Sequence, residues 1–295
     1  MSATTTRGMS PSPPEEDLTR IRNADARRGR LVRGVMLTVA LIYVAVLLIA
    51  PLAGIVVYAL KAGIGLIGRT FGQADVLHAF FLTFVIMVVT VIVTTVFGVV
   101  VALVLARDRF PGQRIVSALV DLPLAISPVV VGLMAVLLFG RGGLFAPFFA
   151  ARGIQIIFAL PAMILVTIFI SIPFVIREVV PVLQELGMEE EQAAWTLGAS
   201  RVQTFFRVTL RNIRWGLLYG IALSAARSIG EVGAVLIVSG AIQGRTETAT
   251  LYIMRAFDQY QDQQGYIVAL TLAAFSIVLL IGIETFKRKR TREAR

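Results

Sequence analysis

The 295-residue chain has no cysteine and one histidine, His78. A disulfide framework and a thiolate metal site are therefore excluded, and a zinc site or a histidine-based triad cannot be assembled from this chain alone. Lysine is almost absent. Lys61, Lys287 and Lys289 are the only three, and none follows a glycine. A phosphate-cradling loop needs Gly-Lys-Ser/Thr, so the chain carries no such nucleotide site. Charge is scarce as well, at 16% of residues, whereas soluble domains carry roughly 25%.

What is abundant is apolar. Hydrophobic residues make up 57% of the chain, and its mean hydropathy is +0.82. Such a composition fits lipid as the solvent. A helix crosses the hydrocarbon core with about 20 apolar residues. Six runs reach this length, at about 34–60, 79–105, 115–139, 156–176, 216–238 and 266–283. They are predicted to be helices, because lipid offers the backbone no hydrogen-bond partner. Pro51, Pro123, Pro128, Pro161 and Pro173 fall within them and read as kinks that neighbouring helices tolerate. The first run is too long for the core of a cleavable signal peptide.

The net charge of +10 would suit nucleic acid if the charge were clustered on one surface. Its distribution says otherwise. With the N-terminus on the inside, 21 of the 28 Lys and Arg residues fall on inside segments, six fall on outside loops, and Arg227 falls within a span. The basic excess is thus an orientation signal that places both termini in the cytoplasm. The expected organisation is a disordered cytoplasmic tail over 1–30, a first transmembrane helix and outer loop over 31–78, a membrane domain over 79–284, and a basic cytoplasmic tail over 285–295.

The longest stretch between spans, 181–214, lies on the inner side. Residues 188–197 are rich in helix formers, with Glu189, Glu190 and Glu191 at the start, where the helix dipole favours acids. Gly198 suits a position just past a helix end. Ser200 followed by Gln203 is a capping-box pattern that opens a second helix. Ala193, Ala194 and Leu197 share a small apolar face that lets another surface approach.

This segment resembles the EAA loop of ATP-binding cassette (ABC) importer permeases. The matching register is Gln192-Ala193-Ala194, three residues, Gly198, nine residues, then Val208-Thr209-Leu210-Arg211. It departs from the family pattern at Gln192 (for Glu), Val208 (for Ile) and Arg211 (for Pro). The loss of the proline lets the second helix run on. The resemblance covers roughly 79–283. It includes Leu105-Ala-Arg-Asp-Arg-Phe-Pro-Gly112, Asp121-Leu-Pro-Leu-Ala-Ile-Ser-Pro-Val-Val-Val-Gly132, Pro173-Phe-Val-Ile-Arg-Glu178 and Ala226-Arg-Ser-Ile-Gly-Glu231. These are similar to the sulfate/thiosulfate permeases, and to their CysW type in particular.

The resemblance implies an all-α, six-span type I importer permease fold in a bacterial inner membrane, with a cytoplasmic coupling helix. It implies that Glu191, Gln192, Ala193, Ala194, Leu197, Gly198, Ser200, Val208 and Leu210 serve docking on a separate ATPase. It also implies the partners: two copies of that ATPase, which bind ATP and Mg, a second related permease, and an extracytoplasmic sulfate-binding protein. Molybdate permeases share much of the pattern, so molybdate, tungstate or another oxyanion is the alternative cargo. An ion-coupled secondary anion carrier would leave the Ala-Ala-x3-Gly loop unexplained. A membrane enzyme would need a nucleophile–base or metal constellation, which the chain lacks.

Arg227 and Glu231 lie four residues apart in the fifth run and thus on one helix face. Ten Val, Ile and Leu residues contribute about −5 kcal/mol to insertion of that run, and two charges cost about 5 to 7. The run is therefore marginal in lipid and needs protein or water against its charges. Two readings of Arg227 stand: a positive potential for a passing dianion, or an ion pair with Glu231 or Asp121. Ser127, Ser224 and Ser228 either line a polar path or satisfy kinked backbone. Gly216, Gly220, Ala226, Gly230 and Gly233 permit close helix packing.

Overall fold

A computed structural model describes residues 15–293, and all of its regular structure is helical. Residues 1–14 of the expected tail, and the last two of the basic C-terminal tail, lie outside the described residues. The chain divides into two units, one ending at Val57 and one beginning at Tyr58.

The first unit is the greater part of α1 (Glu15–Lys61). This helix begins within the stretch expected to be disordered. That stretch contains no proline after Pro14 and opens on Glu15, Glu16 and Asp17, acids that a helix N-terminus favours. Its apolar part, Arg33–Lys61, contains an 18-residue window with a mean hydropathy of 2.7.

The second unit contains α2 (Gly63–Phe71), α3 (Ala74–Arg107), α4 (Gln113–Ala125), α5 (Pro128–Phe139), α6 (Ala146–Ala150) and α7 (Leu160–Leu186). It continues with α8 (Glu189–Thr196), α9 (Arg201–Thr204), a π-helical turn (Phe205–Thr209), α10 (Leu210–Ile229), α11 (Gly233–Ser239), α12 (Ala249–Asp258) and α13 (Asp262–Glu293). Arg33–Lys61, α3, α7 and Asp262–Gly282 are each long and apolar enough to cross a membrane, and counting each of two bent pairs as one span brings the number to six.

The bent pairs go further than the kinks expected from the prolines. The third run is broken between α4 and α5 by a bend of 110°. Pro128 sits at the first position of α5 and holds Ser127 extended (φ −60°, ψ 136°), because proline excludes the helical region for the residue before it. The pair nevertheless crosses the unit. Val120 on α4 packs with Val175, Ile176 and Val179 in the second half of α7, while Val131 and Ala135 on α5 pack with Met163 and Val166 in its first half. The fifth run bends by 53° between α10 and α11.

The core of the second unit is α7 gripped by α3 and α10. Glycine sets these distances. A Cβ on Gly98 of α3 would lie 2.8 Å from Val175 Cγ1, and one on Gly220 of α10 would lie 2.9 Å from Val175 Cα. Buried hydroxyls join the same three helices. Thr94 and Ser224 hydroxyls are 3.0 Å apart, and those of Ser171 and Ser228 are 3.4 Å apart.

The loop before α13 is more ordered than its composition suggests. The Thr83 hydroxyl accepts the Ala249 amide at 2.9 Å, binding the start of α12 to α3. Glu247, 1% exposed, takes Arg255 in a two-pronged bond of 2.6 and 3.0 Å. That bond raises the guanidinium's already high pKa.

Candidate coupling site and translocation path

The loop between α7 and α10 folds as two short helices around a glycine elbow. After α8, Gly198 takes φ +86°. The Ala199 amide donates to the Ala194 carbonyl and the Gly198 amide to that of Trp195, each at 3.0 Å, which is a Schellman ending. No atom lies within 4 Å of where a Gly198 Cβ would be, so backbone conformation alone demands glycine there. The capping box is present. Ser200 Oγ accepts from the Gln203 amide at 3.3 Å, and Gln203 Oε1 accepts from the Ser200 amide at 3.0 Å. With Arg211 in place of proline, the helix continues through the π-helical turn into α10 without a stop.

The outward side of the elbow is bare. Leu197 is 89% exposed, and Trp195, Val202 and Phe206 are exposed beside it. Gln192 and Ala193 are exposed, while Ala194 and Val208 are half-buried. Leu210 packs into the cluster around Val175.

The inward side is anchored by polar contacts. Glu191 is buried, and its Oε1 accepts from Arg107 at 2.9 Å and from the Thr209 hydroxyl at 2.8 Å. Arg107 also donates to the Leu183 carbonyl at 3.1 Å. Glu190 accepts from Asn212 at 2.5 Å. The first turn of α8 is thereby tied to the ends of α3 and α7 and to the start of α10. Sequence reasoning missed Arg107, Thr209 and Asn212. One signal was available: consecutive helical residues point about 100° apart, so three adjacent acids on a helix lying against the bundle cannot all face water.

The candidate path residues do not gather in one place. Arg227 pairs with Glu231 at 2.9 Å, their side chains 31% and 2% exposed, even though α10 ends between them. Glu231 Oε1 accepts the Ala234 amide at 2.9 Å, capping α11, and its carbonyl accepts the Thr250 hydroxyl at 3.0 Å. Asp121 pairs instead with Arg177, at 2.8 Å. Ser224 is fully buried against Thr94, and Ser228 donates to the Ser224 carbonyl at 2.7 Å, so both serve helix packing. Ser127 is exposed at the α4–α5 break. No group of three or more His, Asp or Glu suited to a metal occurs among the described residues.

Known proteins share this architecture. The chain is 43% identical over 260 residues to the sulfate transport system permease protein CysW of Synechococcus elongatus, covering 88% of this chain and 91% of that one. It is 39% identical to the Escherichia coli protein of the same name over 264 residues, covering 90% and 91%. It is 42% identical to the chloroplastic sulfate permease 2 of Chlamydomonas reinhardtii, covering 83% and 67%. In fold it matches the crystal structure of a bacterial ABC transporter involved in the import of the acidic polysaccharide alginate, with a TM-score of 0.74 at 18% identity over 90% of this chain and 98% of that one. Residues 98–291 match the binding-protein-dependent transport system inner membrane component family, and the chain, a multi-pass membrane permease subunit, belongs to it.

Proposed function

We propose that this chain is the permease subunit of an ATP-driven sulfate importer, forming part of the anion's path while a separate ATPase hydrolyses ATP. The observation that carries the reading is the two-sided coupling loop. Its outward face is an apolar surface centred on Leu197, and its inward face is fixed to the membrane helices through Glu191. A force applied to α8 is transmitted to α3, α7 and the π-helical turn that leads into α10 through contacts of 2.8 to 3.1 Å. Exposed apolar groups in water cost about 25 cal/mol per Å2, which favours a covering partner.

The partners are two copies of an ATPase, one docked on Gln192–Gly198, a second permease related to this one, and an extracytoplasmic sulfate-binding protein. The organisation proposed from the sequence, with a membrane domain over 79–284, has both termini in the cytoplasm of a bacterial cell. The positive-inside distribution supports that orientation, and the names of the relatives support sulfate over molybdate or tungstate. Ser127, Arg227 and Glu231 are proposed to border the path, with Glu231 holding Arg227 in place.

Uptake of labelled sulfate by liposomes containing the assembled importer tests this. Uptake should require ATP and be indifferent to ion gradients. Uptake driven by a proton or sodium gradient without ATP would refute it.

A further inference from the structure

A cavity of about 360 Å3 lies between α4 and the second half of α7, with Arg114, Ser117, Asp121, Arg177 and Gln184 on its wall. Arg177 Nε donates to Asp121 Oδ1 at 2.8 Å, and the two side chains remain 56% and 41% exposed. Arg177 precedes Leu183, at the level of the coupling anchor, by two helical turns or less, about 9 Å along the axis. The pair therefore lies at the cytoplasmic end of the span, where Arg177 opens the inside segment. Charged side chains beside a span face protein or water, not hydrocarbon. Arg177 alone could snorkel to the headgroups, but an aspartate is too short to do so.

The chemistry of the wall suits an anion of particular shape. A guanidinium has five N–H donors, and the bond to Asp121 uses only Nε. The remaining edge matches two oxygens of a tetrahedral oxyanion. Arg114 forms no ion pair among the described residues. Asp121 offsets one of the two arginines, so the wall carries a small positive excess. That balance attracts an anion without trapping it, which passage requires.

We propose that this cavity is a binding station for a tetrahedral oxyanion on the cytoplasmic half of the path, with Arg177 as the ligand-binding fork, Asp121 as its positioning residue and Arg114 as a second positive charge. The station rests on the permease reading above. Two sources share the chemistry: the transported sulfate and the phosphate of a lipid headgroup.

The absence of native cysteine permits a direct test. Ser117→Cys in the assembled importer, with cysteine-free partner subunits, places one thiol on the cavity wall. Its reaction rates with an anionic and a cationic methanethiosulfonate reagent are compared. Their ratio cancels any change in thiolate fraction, which affects both reagents equally. The anionic reagent should react about tenfold faster, as expected for a locally positive cleft. Arg177→Gln should abolish the preference. Arg177→Lys should keep the preference but lose protection, since an ammonium lacks the planar fork.

Protection by sulfate in phosphatidylcholine liposomes supports the station with the transported anion as occupant. Protection that follows added phosphatidylglycerol, and not sulfate, supports it with a lipid phosphate as occupant. Equal reagent rates without protection by either would overturn it. ATP-dependent sulfate uptake by the unmodified importer in the same liposomes separates the two levels. Normal uptake with an unprotected thiol removes the station alone, whereas absent uptake removes the permease reading.

Discussion

Arg107 and Glu191, 84 positions apart in the chain, meet at 2.9 Å with side chains only 13% and 10% exposed. The contact joins the last turn of α3 to the first turn of α8, and Thr209 closes it from the π-helical turn. Removing one partner of such a pair leaves an uncompensated charge, at a cost of about 3–5 kcal/mol. Arg107→Ala should therefore loosen α8 from the bundle. The expected outcome is an importer that still hydrolyses ATP but takes up sulfate at least about tenfold more slowly, as a loss of 1.4 kcal/mol or more implies. Parallel ATPase and uptake assays check this. Intact uptake would show that the anchor does not transmit the motion.

Gly198 separates backbone shape from steric room. Its φ of +86° disfavours residues with a Cβ, at about 1–2 kcal/mol, yet the space around it is open. Gly198→Asn should therefore retain most uptake, because asparagine tolerates the left-handed region. Gly198→Val should distort the elbow, uncouple transport and weaken recovery of the ATPase with the permease. Equal behaviour of the two variants would mean that the elbow's conformation is irrelevant.

The spans were legible because an apolar run of membrane length has few alternatives in lipid, and the capping signals at Gly198, Ser200 and Gln203 are local. The breaks were less legible, for two different reasons. Pro128 stood in plain view, but whether a proline bends or divides a helix depends on what satisfies the freed backbone. The Gly230–Val232 break carries no proline, and Glu231 is its one charged residue. What starts the next helix there is Glu231, whose carboxylate caps α11 at Ala234. The long-range partners of Glu191 and Asp121 were invisible, because local spacing does not encode which helices become neighbours.

The closeness of α7 and α10 gives a stability prediction. Gly220→Ala would place a methyl group 2.9 Å from the Val175 backbone, where neither helix has a flexible end to move aside. Overpacking of this kind costs about 1–3 kcal/mol. Gly68→Ala in α2, where nothing lies within 4 Å, should be harmless. Thermal unfolding of the purified importer in detergent should show a lowered midpoint for the first and an unchanged one for the second.

The Arg227–Glu231 pair gives the last prediction. Glu231 is 2% exposed, caps α11, and faces an arginine that is itself only 31% exposed. Glu231→Ala removes the counter-charge and the cap together, so it should destabilise the chain more than Arg227→Ala does. In the double variant no charge is left unpaired. Its loss should therefore be smaller than the sum of the two single losses by about 0.5–3 kcal/mol, the range of coupling between contacting residues. A strictly additive result, measured by unfolding of all four proteins under one condition, would mean that the two side chains do not rely on each other. The pair would then have no part in holding Arg227 at the path.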